Sequence, residues 1–251
     1  RAQASTVGVA EFSKEACAGF LLEKELKALS TALEDPKHPL IAVIGGSKVS
    51  TKFKVLDKLL DKVDALIIGG AMANTLLKAS GKPIGASMYE EEWIPQAKLL
   101  IQKAQDTSKT LMLPMDVVVA KDIHDASGEV KEVIHVSDGD KIFDIGPKTT
   151  AQIMVMLQKA NTIVWNGPLG VFEFEPFSHG TKVVAKAIAQ SHAFSLAGGG
   201  DTLAAIEQFG IVEGVSYQST AGGAFLEFMD GSALPGIEVL KNHAQHQRKQ
   251  G

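Results

Sequence analysis

The residues best suited to chemistry are a glycine-flanked acid and two lysines. Leu196-Ala197-Gly198-Gly199-Gly200-Asp201-Thr202 follows an apolar run from Ala193 and opens a helical pattern carrying Leu203, Ile206 and Phe209 on one side. A strand, three glycines and a helix start aim backbone amides at an anion. Glycine lets the chain turn sharply and approach a ligand, and the helix adds unpaired N–H groups and the positive end of its dipole. Asp201 has two readings there: it caps the helix, or it holds a cation that bridges to the anion. Lys48 and Lys52 stand four residues apart just after Gly45-Gly46, which puts both on one side of a first helical turn. A helix N-terminus disfavours cations, and like charges at that spacing repel. Either both lysines are solvated or an anionic ligand offsets both penalties. Lysines with a metal-holding acid would suit phosphoryl transfer, in which negative charge builds on the group in flight.

These residues need elements to carry them, and the chain supplies an alternation. Leu40 to Ile44 is a buried-strand run ending in Gly45-Gly46, followed by a helix with Val55, Leu56, Leu59 and Leu60. Ala65 to Ile68 is a second strand, ending in Gly69-Gly70, and Ala71 to Ser80 reads as helix. Helix is expected over Glu90 to Ala104, and a strand region broken by Pro114 over Thr110 to Ala120. An acidic excursion reaches Gly146, with Val130 to Val136 as a candidate antiparallel strand. Thr149 to Ala160 is helix, Thr162 to Trp165 strand, Ser178 to Gln190 helix, and Ser216 to Ser219 a last short strand before Thr220-Ala221-Gly222-Gly223 and a final helix. Ahead of the alternation, Arg1 to Gly8 reads as loop and Ser13 to Leu33 as a long helix outside the repeat; beyond Leu240 the polar residues predict disorder.

Continuous apolar strands alternating with amphipathic helices predict an α/β, doubly wound, mainly parallel sheet with helices on both faces, three layers in all. Glycine punctuation recurs at the ends of strands: Gly45-Gly46, Gly69-Gly70, Asn166-Gly167-Pro168 and Gly198-Gly199-Gly200. Ligands of such sheets bind beyond the carboxyl ends of the strands, so these turns predict a nucleotide-lined edge.

Composition narrows the class. With 45% hydrophobic and 22% charged residues the chain reads as a globular protein with ample core. A formal net charge of −4 argues against a general nucleic-acid partner. The single Cys17 excludes an internal disulfide framework and is expected to pack in the long helix. No apolar run is long enough for a membrane span and no signal peptide is visible, so a cytoplasmic setting is expected. Arg1 in place of methionine suggests that the chain is part of something longer. There is no Gly-x-x-x-x-Gly-Lys-Ser/Thr and no Gly-x-Gly-x-x-Gly after the first strand. The histidines have no metal-ligand spacing, and no Ser/His/Asp or Cys/His grouping stands out.

Taken jointly, four segments resemble phosphoglycerate kinases in order and spacing: Gly45-Gly46-Ser47-Lys48-Val49; Trp165-Asn166-Gly167-Pro168 with Gly170-Val171-Phe172-Glu173; Gly198-Gly199-Gly200-Asp201-Thr202; and Ser219-Thr220-Ala221-Gly222-Gly223. The likeness runs from Arg1 to about Leu240 and implies the carboxy-terminal, nucleotide-binding half of that enzyme with its connecting helix. On that resemblance residues 1–36 are an interdomain loop and helix, 37–231 a Rossmann-like nucleotide-binding domain and 232–251 a partly disordered tail. The same resemblance implies that the family's amino-terminal substrate domain is not within this sequence.

The resemblance also implies roles. Lys52 would stabilise the phosphoryl group in flight and Lys48 the nucleotide phosphates. Asp201 would ligate Mg2+ as Mg-ADP or Mg-ATP, with Thr202 beside it. Gly198, Gly199 and Gly200 would form the phosphate loop, Asn166 would contact a phosphate, and Pro168, Gly45, Gly69 and Gly70 would wall the nucleotide pocket. Glu173 would bond the ribose hydroxyls, Gly222 and Gly223 would face the transferring phosphoryl, and Arg1 would contact the acid substrate. The expected catalytic set is thus Lys52, Arg1, Gly200 and Gly223. The implied reaction is reversible phosphoryl transfer from 1,3-bisphosphoglycerate to ADP in glycolysis, by a monomer, with the missing domain supplying most contacts to 3-phosphoglycerate. Ala221 departs from the family, which usually has glycine there. Two other readings stay open: a non-catalytic nucleotide-binding module, and a nicotinamide-dependent oxidoreductase, which would need an acid where Gly69-Gly70-Ala71 stands.

Overall fold

Alternate residues of one central strand belong to two different cores. In β1 (Leu40–Ile44), Leu40, Ala42 and Ile44 pack on one side of the sheet while Ile41 and Val43 pack on the other. A strand buried on both faces needs an apolar residue at every position, which is why these strands read as unbroken apolar runs. The computed structural model describes residues 2–248.

The chain opens with a π-helical turn at Ala4–Gly8, a short α1 (Val9–Glu11) and α2 (Phe20–Leu33). After β1 come α3 (Phe53–Lys62), β2 (Ala65–Ile68), α4 (Ala71–Ala79), α5 (Ile94–Asp106) and β3 (Thr110–Met112). Three further strands, β4 (Asp116–Ala120), β5 (Glu129–Glu132) and β6 (Lys141–Ile145), interrupt the alternation. It resumes with α6 (Pro147–Lys159), β7 (Thr162–Asn166), α7 (His179–Gln190), β8 (Phe194–Gly198), α8 (Gly200–Gln208), β9 (Tyr217–Ser219) and α9 (Gly223–Met229), and α10 (Pro235–Arg248) follows.

The main sheet has six strands in the order β3-β2-β1-β7-β8-β9, every neighbouring pair parallel. From β1 the chain winds outward to β3, then returns to β7 beside β1 and winds outward the other way. The switch point therefore lies between β1 and β7, where a crevice must open beyond the strand ends. Helices α2, α3, α4, α5 and α9 cover one face, and α6, α7 and α8 cover the other. This is the three-layer doubly wound fold that the sequence predicts.

The antiparallel sheet, in the order β5-β4-β6, has its own small core, in which Val117 and Val119 meet Leu77, Ile84, Val133 and Val136. Buried Asp140 pins its turn, accepting from Lys121 Nζ at 2.7 Å, Lys131 Nζ at 2.8 Å and Ser137 N at 2.9 Å. The two ammonium groups hold that carboxyl well below the usual carboxylate range.

Several sequence expectations are corrected. The long helix starts at Phe20 rather than Ser13, because Gly19 is extended and serves as its N-cap. It precedes the repeat, as expected, and packs with it: Ala28, Leu29, Ala32 and Leu33 belong to the core beneath the sheet. Cys17 therefore precedes the helix and is exposed rather than packed. The residues Ala4–Gly8 are helical, not loop, with Gln3 and Thr6 forming a reciprocal cap. Strand β5 stops at Glu132, and Val133–His135 turns to bury Val133. The expected disordered tail is helical over Pro235–Arg248; Leu234, Ile237 and Leu240 share a cavity wall with Leu22, Leu26 and Leu29 of α2. That apolar spacing, embedded in a polar stretch, gives the tail a surface to pack.

One buried acid ties α2 to the far edge of the sheet. Glu25, 5% exposed, accepts from Tyr217 Oη at 2.9 Å, from the Ser219 hydroxyl and from Thr220 N at 3.4 Å. Burial, with the Glu25 carboxylate alongside, pushes the Tyr217 phenol up to about 12. Glu25→Ala strands these donors and is expected to destabilise the fold by ~1–3 kcal/mol, read as a lowered thermal unfolding midpoint. Glu25→Gln, which keeps one acceptor, should lose less; an alanine variant as stable as the parent would contradict the assignment.

Candidate functional site

The ends of β1 and β7 touch. Gly45 N donates to Asn166 O at 2.9 Å, and a Cβ on Gly45 would stand 1.8 Å from the Pro168 carbonyl oxygen. No other residue type fits, since that oxygen belongs to backbone and cannot move aside. The contact continues outward: Gly69 N donates to Ile44 O at 3.0 Å and Gly70 N to Leu169 O at 2.9 Å. The glycine turns after β1, β2 and β7 thus form one continuous floor at the switch point.

Lys52 is threaded into this floor. Its Nζ donates to Gly45 O at 2.6 Å and to Asn166 O at 3.4 Å. Burial lowers its pKa to about 8, an effect that the Asp201 carboxylate partly opposes. An ammonium has three N–H groups, so with two directed at carbonyls one is left for a ligand. The spacing argument that set Lys48 and Lys52 on a first helical turn does not hold. Lys52 is the N-cap of α3, Lys48 lies in the turn before it, and Lys48 is exposed. Val49 buries fully and Glu90 accepts from Ser50 N at 2.9 Å, which anchors this turn between the two lysines.

The turn after β8 completes the edge. Gly199, at φ 102°, is the N-cap of α8, and Asp201 sits in the helix's first turn. The capping reading of Asp201 is therefore not what the backbone shows; its exposed carboxylate faces the cavity instead. Thr202 is fully buried, donates to Gly198 O at 2.8 Å and accepts from Gly167 N at 2.7 Å. It staples two glycine turns together from behind. Asn166 is similarly spent on structure: its Nδ2 donates to Gly198 O at 2.6 Å, and its buried Oδ1 has no partner.

Beside this edge lies a cavity of about 610 Å³. Gly46, Gly70, Pro168, Val171, Glu173 and Asp201 line it, and so do residues that motif reasoning did not single out: Asn74, Met88, Phe143, Asp144 and Leu169. The antiparallel insertion supplies one wall through Asp122, Ile123, Lys141 and Ile142. A mostly apolar chamber opening onto an amide-rich, cationic edge accommodates a base at one end and phosphates at the other. Gly200 is exposed at the start of α8, while Gly222 and Gly223 begin α9 beyond the cavity wall. Ala221 takes an ordinary backbone conformation, since Ser108 is the one non-glycine with positive φ among the described residues, so its methyl costs no strain. Arg1 lies outside the described residues. Among the described residues no group of three or more His, Cys, Asp or Glu could hold a metal.

The sequence profile described as phosphoglycerate kinase matches residues 1–232. The chain is 54% identical over 246 residues to the phosphoglycerate kinase of Coxiella burnetii, covering 98% of this chain and 63% of that protein. It is 56% identical over 245 residues to that of Francisella philomiragia, covering 97% and 62%. A solved structure of the Coxiella burnetii enzyme superposes with a TM-score of 0.95 at 54% identity, over 97% of this chain and 63% of that one. The Pyrococcus horikoshii enzyme gives 0.84 at 34% identity, over 98% and 62%. The chain thus spans a little under two thirds of the relatives it matches.

The Lys52 environment makes a direct prediction. Selective isotope labelling of lysine should show one amine titrating near pH 8, apart from the others. Asp201→Asn should move that titration to lower pH, because the carboxylate it removes favours the charged form. An unmoved titration would mean that the two side chains do not share a field.

Proposed function

This chain belongs to the phosphoglycerate kinase family, and from that premise we propose that it is the nucleotide-binding part of a phosphotransferase acting between 1,3-bisphosphoglycerate and ADP. The observation that carries the reading is the convergence of the β1, β2, β7 and β8 turns beside one apolar cavity, with Lys52 held in their floor and Asp201 on the cavity wall.

In this reading the base and ribose occupy the cavity, with Gly69, Gly70 and Pro168 as walls and Glu173 positioned for the ribose hydroxyls. The phosphates lie along Gly198, Gly199 and Gly200 toward Lys52, with Lys48 on the solvent side. A terminal oxygen of ADP attacks the acyl phosphate, a new P–O bond forms, and the bond to the acyl oxygen breaks to leave a carboxylate. The attacking oxygen is already ionised and the leaving group is a stable anion, so neither a general base nor a general acid is required. Lys52 supplies a fixed, desolvated positive charge where negative charge spreads on the transferring group, and low local polarity strengthens it. Its carbonyl partners keep the ammonium in place through the reaction.

Mg2+ fits as a nucleotide-borne ion. Magnesium binds through one or two carboxylates plus phosphates rather than in an all-protein cage, and one exposed carboxylate at the phosphate edge, Asp201, matches that donor set. When bound, it would neutralise charge on the nucleotide phosphates. Contacts to the acid substrate come, in this reading, from the portion of the relatives' length that this chain does not span, together with Arg1. Glycolysis, a cytoplasmic setting and a monomeric state belong to the same proposal.

Calorimetry with ADP, with and without Mg2+, tests the binding part. The chain should bind ADP, and added Mg2+ should tighten binding. In Asp201→Ala, ADP should still bind while the magnesium enhancement disappears; an undiminished enhancement would return Asp201 to a surface role. Turnover is tested separately, by coupled assay of ATP formation in a full-length protein carrying this chain. There Lys52→Ala should lower kcat steeply, by 100-fold or more on the order expected for loss of such a charge, with KM for ADP changed far less. A near-normal kcat would remove Lys52 from the chemistry.

A further inference from the structure

The wall of the nucleotide cavity contains a buried acid that the proposed chemistry does not use. Asp144, at the end of β6, is 1% exposed and lines the cavity. Its Oδ2 accepts from Gly180 N, in the first turn of α7, at 2.7 Å, and its Oδ1 accepts from Ile145 N at 2.9 Å. The carboxylate fills a space that only glycine leaves free. A Cβ on Gly170 would lie 2.1 Å from Oδ1, and one on Gly180 would lie 2.4 Å from it.

The elements meeting at this carboxylate are the ones that shape the pocket. Gly170 sits between Pro168 and Glu173 in the turn after β7, and Val171 N donates to Phe143 O at 2.8 Å. The neighbouring Thr181 hydroxyl accepts from Leu169 N and Gly170 N, both at 3.1 Å. Asp144 therefore holds α7 against β6, and α7 in turn holds the Pro168–Glu173 turn. The negative charge lies at the positive end of α7.

We propose that Asp144 is a positioning residue of the nucleotide cavity, and that its ionised carboxylate keeps the Pro168–Glu173 turn in the shape that binds adenosine. The inference rests on the nucleotide reading above.

Ionisation matters because of geometry. As a carboxylate, Asp144 accepts at both oxygens; protonation removes the charge that strengthens both bonds and adds a buried O–H among groups that here only donate to it. Burial pushes its pKa up to about 7, against the two N–H groups that favour the anion. Lys141 of β6, Asp116 of β4, Glu173 in the turn and His179, Lys182 and Lys186 of α7 are the ionisable groups on the surrounding elements. Its shift is set by burial and the two N–H groups, without a charged partner. Ligand entry removes no further water from a side chain already 1% exposed, so binding adds no desolvation favouring the neutral form.

The test uses adenosine, which carries no phosphate to titrate near neutrality. Its affinity for the unaltered chain should fall about tenfold from pH 8 to pH 6, as the ionised fraction of a group with pKa near 7 falls. Asp144→Asn should bind adenosine weakly at both pH values, with a flat profile. His179→Gln should keep the parent's profile, which separates the acid from the neighbouring imidazole. Should the asparagine variant fail to fold, the Gly180 amide resonance of the unaltered chain provides a second reading: it should shift with a midpoint near pH 7. Adenosine affinity that is flat with pH, or retained in Asp144→Asn, or a Gly180 amide without that transition, would overturn the inference and leave the nucleotide reading standing. No adenosine or ADP binding by the unaltered chain at any pH would overturn both.

Discussion

Gly45 and the Pro168 carbonyl occupy positions that leave no room for a side chain between them. Most of the site depends on that contact. It lets Gly45 N reach Asn166 O, and it brings the carbonyl oxygens of Gly45 and Asn166 together around one ammonium. Separating β1 from β7 by the width of a methyl group would open the floor of the crevice and release Lys52. The doubly wound sheet places the two strand ends side by side, but glycine at Gly45 lets them meet.

Electrostatics then follow from packing. Lys52 is held among carbonyls away from water, which weakens its hold on the proton, and the field of Asp201 partly restores it. A charge kept in such surroundings acts on an incoming anion with less screening than one on the surface. Lys48 stands outside, exposed, and can meet phosphate only as a solvated side chain. Two lysines that look equivalent in sequence therefore have different capacities, and the difference comes from the turn that Val49 and Ser50 anchor.

The layered sheet was legible because burial on both faces forces an apolar residue at every strand position, and the glycine turns were legible because close approach excludes other residues. The site's edge, from Gly45 to Asp201, could be read for the same reason. Its far wall could not. Lys141, Ile142 and Ile123 enter from an antiparallel insertion whose strands carry charged residues and hide their register, so nothing in the one-dimensional pattern places them against Gly70. Asp144 has a signal, an acid inside the apolar run that Ile145 closes before Gly146-Pro147, but a single buried acid gains meaning only when Gly170 and Gly180 are seen to enclose it. The tail after Leu234 misled because its composition is polar overall, while the helix it forms packs against the Ala4–Gly8 turn and α1 and lends a narrow apolar stripe to the cavity beside α2.

The central claim is that anionic phosphate arrives at the desolvated amine of Lys52. Calorimetric titration of ADP at pH 8, repeated in buffers of different ionisation enthalpy, counts the protons taken up on binding. An amine with pKa near 8 is about half deprotonated there, and phosphate alongside favours the charged form, so binding should take up about half a proton, with that uptake lost in Lys52→Met. Binding with no proton uptake at pH 8, or with an uptake that survives in Lys52→Met, would contradict the account.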